Sequence, residues 1–138
     1  MKDRLRKNFA SGRISIYRGV NKEKLIFTRN NSLIATHKDL MVRMMAGDLS
    51  ALISRIEAYD GVSLKAGIPV TRSYETSPDI IAQFEGIFGT NSFSGEIDKL
   101  KLSPADPDTN GYFAEATVEV EKDSSEQLTV VWTIEIGD

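Results

Sequence analysis

Two stretches near the C-terminal end alternate between apolar and polar residues, and this pattern constrains the fold more than any other feature. In residues 114–120 every second residue is Ala or Val, and in residues 128–136 five apolar residues, Trp132 among them, alternate mainly with Thr and Glu. A period of two residues is typical of a β-strand with one buried face and one wet face. We interpret the two stretches as an antiparallel hairpin whose apolar face, including Trp132, lies in the core.

Further short apolar runs, separated by turn residues, predict more strands. Residues 14–18 and 24–28 predict two strands joined by a turn, and residues 52–59 predict a strand that ends at Asp60-Gly61. Residues 80–88 and 96–102 predict two others. Residues 61–79 are rich in Gly, Pro, Ser and Thr, so we expect an exposed loop there, with room for a short strand around Val70.

One segment has the signals of a helix. Thr36 is a suitable N-cap, Asp39 follows three residues later, and Gly47 stands where a C-terminal cap belongs, which predicts a helix over about 36–46. Two i, i+4 pairs form an apolar stripe that can lie on a sheet: Leu40 with Met44 and Met41 with Met45. The whole pattern predicts a mainly β fold, an antiparallel β-sandwich of jelly-roll-like arrangement with one short α-helix.

Length and composition fit one domain. A chain of 138 residues buries roughly 70% of the surface that its unfolded form exposes. It has no cysteine, so disulfides and thiolate metal sites are excluded. The first residues are too charged for a signal peptide, and no apolar run approaches the roughly 20 residues of a membrane span, so we expect neither export nor membrane insertion. We expect a basic N-terminal arm over residues 1–13 and a single β-sandwich domain over residues 14–138.

The charge of the chain is divided between its two parts. Residues 1–43 hold 11 Lys or Arg and 3 acids, whereas residues 44–138 hold 6 basic residues and 17 acids. One interpretation is that a positive segment lies over a negative domain of the same molecule. The other is that the arm binds an acidic neighbouring subunit and helps to set the register of assembly. The arm residues concerned are Lys2, Arg4, Arg6, Lys7 and Arg13.

Nucleic acid is a third candidate partner for the arm, because clustered Lys and Arg are the usual footprint of phosphate binding. The acidic remainder of the chain would repel a polyanion, and only Phe9 and Tyr17 are near enough in sequence to stack on bases. We therefore do not expect nucleic-acid binding.

Residues that could carry chemistry are sparse. His37 is the only histidine, so a catalytic triad or a transition-metal site would depend on it alone. The glycines lack the spacing of a phosphate-binding loop. Asp106, Asp108 and Asn110 resemble the first half of a calcium loop, but Thr117 stands where the bidentate Glu belongs. We expect no metal and no cofactor.

Two carboxylate pairs invite a glycosidase interpretation, in which one acid donates a proton and the other attacks or activates water. They are Glu96 with Asp98 and Glu119 with Glu121, each spaced to share one face of a strand. No apolar environment that would raise a pKa is indicated around either pair, so we interpret both as solvated sheet residues. We therefore expect that the protein is not an enzyme.

Five segments together resemble small virion proteins of tailed bacteriophages. In those proteins an Asn and an Ala-Gly bracket a short helix, a strand leads to a Gly-rich turn, and the chain closes on an alternating strand with a Trp followed by Ile. The matching segments are Asn31–Gly47, Ile53–Gly61, Gly95–Pro104, Gly111–Ala116 and Leu128–Ile136. The sequence departs from the pattern at Tyr59-Asp60-Gly61, where a more Gly-rich turn is usual.

The resemblance implies a capsid cement or decoration protein, located on the capsid surface of the virion and assembled in the cytoplasm of the bacterial host. Such a protein bridges and stabilises major capsid subunits, contacts copies of itself, as a dimer for example, and has no active site. A tail or baseplate structural protein is the alternative. A second alternative, from another class, is a carbohydrate-binding β-sandwich, for which Tyr59, Tyr74 and Tyr112 are the candidate stacking residues.

Overall fold

The alternating segments form nine strands in the computed structural model, which describes residues 10–33 and 37–136. The strands are β1 Ala10–Arg18, β2 Lys24–Leu33, β3 Ile53–Asp60, β4 Ser63–Pro69, β5 Thr71–Glu75, β6 Ile81–Phe88, β7 Gly95–Pro104, β8 Ala114–Lys122 and β9 Leu128–Ile136. The helices are α1 His37–Met45 and the one-turn α2 Pro107–Asn110, with a 3₁₀ turn at Leu49–Ala51.

The strands make two antiparallel sheets that pack face to face as a β-sandwich. Sheet A has the order β2-β1-β9-β6-β5, and sheet B has the order β2-β8-β7-β3-β4. Strand β2 belongs to both sheets, because its first residues pair with β1 and its last two pair with β8. The chain also passes from one sheet to the other at Val70, which joins β4 in sheet B directly to β5 in sheet A. Strands that switch sheets in this way form the corners of a sandwich.

The predicted mainly β, antiparallel sandwich with a short helix near residues 36–46 is therefore confirmed. The finer jelly-roll-like arrangement is not confirmed. Four consecutive strand pairs, β1–β2, β3–β4, β5–β6 and β7–β8, are hairpin neighbours within one sheet.

The predicted hairpin between the two C-terminal strands is wrong. Strand β8 lies between β7 and β2 in sheet B, whereas β9 lies between β1 and β6 in sheet A. The burial of their faces was nevertheless predicted correctly, since Trp132 is fully buried and Ala114 to Val120 are buried at every second position. Alternation identifies the face that is buried, but it does not identify the neighbouring strand.

The predicted loop over residues 61–79 contains two strands, β4 and β5. They are edge strands, β4 of sheet B and β5 of sheet A, so each pairs with only one neighbouring strand. An end strand needs few apolar residues because little of it is buried, and every residue of β5 is exposed. A polar composition rich in Gly and Ser therefore did not prevent pairing.

Helix α1 ends as predicted. Gly47 adopts a φ of 89°, its N–H donates to the carbonyl of Met44 at 3.0 Å, and the N–H of Asp48 donates to the carbonyl of Arg43 at 2.9 Å. This is the Schellman arrangement, which requires a left-handed residue. The predicted N-cap, Thr36, lies outside the described residues.

The predicted apolar stripe of α1 is only partly correct. Leu40 is fully buried, and Met41 and Met44 pack against the core, but Met45 is 85% exposed. The side chain of Met45, in the last turn of the helix, points into the solvent.

A buried lysine ties the loop between β6 and β7 to the end of β8. Lys122 continues the inward alternation of β8 and is 1% exposed. Its Nζ donates to the carbonyls of Thr90, Phe93 and Asp123 at 3.0, 2.9 and 3.1 Å. Burial lowers the pKa of this amine, although the nearby carboxylates oppose the shift. Two carbonyls of an irregular loop and one at the end of β8 thus depend on one side chain.

We predict that Lys122→Met lowers the free energy of unfolding by about 2 kcal/mol or more, because three carbonyls, of which that of Phe93 is buried, lose their donor. Urea denaturation followed by circular dichroism measures the change. The matched control is Lys24→Met at an exposed position, for which we expect a change within about 0.5 kcal/mol. Equal effects of the two substitutions would contradict this assignment.

Candidate partner-binding surfaces

The predicted arm overlaps the first strand. Strand β1 begins at Ala10, so residues 10–13 of the predicted arm, Arg13 among them, belong to the sheet. Arg13 is exposed on the outer face of sheet A, where its Nε donates to Oδ1 of Asn30 at 3.4 Å. The strand extends this far because residues 10–13 pair with β9, and Gly12 and Arg13 also pair with β2.

The other arm residues, Lys2, Arg4, Arg6 and Lys7, lie outside the described residues. We use the term basic segment for residues 1–9, which precede β1.

Part of the divided charge is neutralised within the molecule. Arg18 pairs with Glu126 at 2.9 Å, Lys22 with Glu85 at 2.6 Å, and Arg43 with Asp48 at 2.8 Å. Each pair joins a basic residue from the first 43 residues to an acid from the remainder. The interpretation that positive segments lie over a negative domain is thus correct for these three residues.

Two arginines also fill the split between the sheets. Strand β2 separates from β8 before Ser32, which leaves backbone carbonyls of β8 without a strand partner on that side. A guanidinium nitrogen of Arg29 donates to the carbonyl of Thr117 at 3.3 Å, and one of Arg18 donates to that of Glu121 at 3.0 Å. Side-chain donors therefore replace the missing ladder along this edge.

The outer side of sheet B carries a concentration of carboxylates that is not neutralised in this way. The two predicted carboxylate pairs lie together on it, since Glu96 and Glu121 are directly opposite each other in β7 and β8. A single groove is lined by the carboxylates of Asp60, Glu96, Asp98, Glu119 and Glu121, which we call the acidic face.

Within residues 10–33 and 37–136, no Lys or Arg forms an ion pair with the acidic face. Asp98 accepts two hydrogen bonds from the N–H of Gly61, at 3.0 and 3.1 Å. Like charges directly opposite each other destabilise a sheet. The arrangement thus favours a cationic partner over this surface.

A second polar cluster surrounds Glu57 on β3, and the sequence did not predict it. Glu57 is 4% exposed and accepts hydrogen bonds from Arg55 Nε at 2.9 Å, Tyr59 Oη at 2.6 Å and Tyr112 Oη at 3.0 Å. Burial opposes ionisation of Glu57, but the three donors outweigh it and hold the pKa of the carboxyl below its usual value.

The same cluster engages two of the three candidate tyrosines of a carbohydrate site. The hydroxyls of Tyr59 and Tyr112 lie 3.2 Å apart, and both donate to Glu57. Lys101 Nζ lies 4.7 Å from the ring centre of Tyr59 and 4.5 Å from that of Tyr112. These rings hold a lysine of the protein itself, in a cation–π arrangement. Tyr74 is 79% exposed on β5, away from them.

Burial raises the pKa of Tyr59 and of Tyr112, and their contact with Glu57 adds to the shift. Both hydroxyls therefore stay protonated and act as donors to the carboxylate. The sequence held one signal for part of this cluster: Arg55, Glu57 and Tyr59 alternate and share one strand face. Nothing in the sequence indicated that Tyr112, 55 residues away, would join them.

The residues weighed for calcium binding serve a helix cap. Asp106 is the N-cap of α2 and accepts from the N–H of Thr109 at 3.3 Å. The amide oxygen of Asn110 accepts from Arg43 at 2.7 Å. Within the described residues, no group of three or more His, Asp or Glu is placed to hold a metal ion.

His37 is half-buried, and its ring packs edge-on against Phe113, with ring centres 5.8 Å apart. Among residues 10–33 and 37–136, no helix has the length and apolar character needed to cross a bilayer.

No family model, no curated protein and no solved structure matches this chain. The resemblance to phage virion proteins therefore stays a prediction from the sequence pattern.

We predict that Glu57→Gln lowers the free energy of unfolding by about 1–3 kcal/mol at pH 7, because the charged acceptor of three donors is lost. The pKa of Glu57 is lowered in the folded protein, so its contribution is fully present above the unfolded value of about 4.3. The contribution disappears as pH falls through the lowered folded pKa.

Urea denaturation between pH 7 and pH 3 measures this effect. The difference between the wild type and Glu57→Gln should shrink as the pH approaches 3. The control is Glu119→Gln at an exposed position of β8, for which a constant small difference is expected. A Glu57→Gln difference that does not change with pH would refute the charged role of this carboxylate.

Proposed function

We propose that this protein is a bacteriophage virion structural protein, a capsid cement or decoration protein that bridges and stabilises major capsid subunits. It acts by covering and gripping neighbouring surfaces and has no reaction to catalyse. The observation that carries the proposal is the acidic face, which has no cationic partner in the described part of the chain, together with the basic segment that precedes β1.

The charges support intersubunit binding in a specific way. Arg18, Lys22 and Arg43 pair within the molecule, so they do not need a neighbour. The basic segment holds four basic residues and one acid. Complementary charge of this kind sets the rate and register of association more than its final strength.

The surface also presents large apolar side chains, which supply the burial that charge alone does not. Four of them are at least three-quarters exposed: Val62, Tyr74, Met45 and Leu49. Large exposed apolar groups, when they are clustered, mark protein interaction sites. They fit a subunit whose working state is an assembly.

The test is binding of the purified protein to capsids that lack it, measured by co-sedimentation over a range of NaCl concentrations. We expect binding that weakens as salt rises, because exposed charges are screened. Cryo-electron microscopy of the native particle should then show density for this domain at repeated positions on the capsid surface.

We predict that neutralising the basic segment weakens capsid binding by roughly 10- to 100-fold, as expected when four charges that each contribute about 0.2–1 kcal/mol are removed. The variant replaces Lys2, Arg4, Arg6 and Lys7 with Gln. Its matched control replaces Lys24, Lys38, Lys65 and Lys99 with Gln, which changes the net charge equally. Equal loss in both variants would show that only net charge matters.

A tail or baseplate structural protein is the second candidate, because the acidic face and the basic segment could equally join neighbouring subunits of a ring or sleeve. Failure to bind capsids, together with co-purification with tails and stable rings in negative stain, would replace the capsid proposal with this one.

A further inference from the structure

The two end strands of the sandwich differ in whether another strand can pair with them. On β4, the N–H of Val70 donates to the carbonyl of Ser54 at 3.1 Å, which places Ala66 and Ile68 in bonded pairs with β3. The outward backbone groups then belong to Lys65, Gly67 and Pro69. Since proline has no N–H, and since lysine and proline are typical protectors of edge strands, β4 is closed to extension.

The edge of β5 is open by the same reasoning. The N–H of Ile136 donates to the carbonyl of Ile80 at 2.9 Å, so even-numbered residues of β6 bond to β9 and odd-numbered ones bond to β5. Thr71, Ser73 and Glu75 therefore bond to β6. The N–H and carbonyl groups of Arg72 and Tyr74 point away from the sheet, toward the free edge.

We propose that β5 is the site at which a second copy of this chain adds its own β5, antiparallel and centred on Ser73, so that sheet A continues across a two-fold axis. In an antiparallel pair, two residues that stand directly opposite each other lie on the same face of the sheet. The two-fold axis must therefore pass between one residue and its own copy, and not between two successive residues of the strand. Ser73 is the middle of the strand, so this register uses all of Thr71–Glu75.

The side chains of β5 are self-complementary in this register. Arg72 stands opposite the second copy's Tyr74 on the inner face. This pair and its symmetry mate each exchange two backbone hydrogen bonds, so about four join the two copies. Arginine beside tyrosine is a favourable cation–π pair. Thr71 stands opposite the second copy's Glu75 on the outer face, so no like charges meet. Moving the centre to Arg72 would place the two arginines opposite each other.

Tyr74 is the side chain best placed to gain from the pairing. It is 79% exposed in the single chain, and tyrosine is enriched among residues that dominate interface energies. Arg72, which would lie against the second copy's Tyr74, lines an apolar cavity of about 210 Å³ whose wall includes Met44, Ala82 and Phe84. The pairing would therefore bring an aromatic ring to the mouth of this cavity.

The proposal concerns self-association and does not depend on which particle the protein serves, so capsid binding and β5 pairing can fail separately. It predicts that the wild type elutes at twice the 15.3 kDa mass of the chain in size-exclusion chromatography with light scattering. A single engineered cysteine then reports the register without background, because the chain has none of its own.

The register predicts that Ser73→Cys forms a covalent dimer under mild oxidation. The two Ser73 Cα atoms would face each other in a non-hydrogen-bonded pair about 4.5 Å apart, within the range of a disulfide. The matched control is Thr71→Cys in the same strand. Its Cα would lie roughly 13 Å from its counterpart, four residues along the strand, which is too far to bridge.

A second pair of variants tests the edge itself. Tyr74→Pro removes an N–H that points to the free edge and leaves the bonds to β6 intact, so the protein should elute at the mass of one chain with an unchanged circular dichroism spectrum. Tyr74→Lys keeps the backbone and places a lysine opposite the second copy's Arg72, and it too should be monomeric.

Two results would overturn the proposal. One is equal cross-linking of Ser73→Cys and Thr71→Cys, which would indicate random collision. The other is a wild-type chain that stays monomeric at all concentrations while Ser73→Cys fails to cross-link.

Discussion

Burial of the inner faces of the two sheets against each other is the interaction on which the rest of this protein depends. Trp132 in β9 and Ile14 in β1 pack from sheet A toward Leu100 and Leu102 in sheet B, and all four are fully buried. Only one face of each strand takes part, so the opposite face is free to carry charge. The acidic face, the Glu57 cluster and the edge of β5 are all consequences of this division.

Polar groups inside and beside the core are held by specific partners because burial without a partner is costly. Lys122 satisfies the carbonyls of Thr90, Phe93 and Asp123, and Glu57 receives three donors on the opposite end of sheet B. Arg18 and Arg29 replace a missing strand along β8. Arg18, Lys22, Arg29 and Arg43, all from the basic first 43 residues, thus help to maintain the fold.

Several elements could be predicted because their signals are local. The alternation in β8 and β9, the left-handed turn at Gly47 and the apolar side of α1 at Leu40 each depend on residues close in sequence. The pairing of β8 with β9 was predicted wrongly, as was the loop at residues 61–79. Both errors concern which strand lies beside which, and the pattern of apolar and polar residues does not specify the neighbouring strand. The cluster at Glu57 was missed because Tyr112 reaches it from a distant part of the chain.

The sequence by itself determined the fold class, the buried face of most strands and the unequal distribution of charge. These properties follow from the order of residue types, since a period of two residues turns apolar groups to one side whatever the neighbours are. Only the tertiary structure decided that the two predicted carboxylate pairs form one acidic face, that Arg13 belongs to the sheet, and that β5 ends it. Those outcomes depend on strand order. Strand order is selected by the packing of the whole sandwich and by the corners at β2 and Val70, where the chain passes from one sheet to the other.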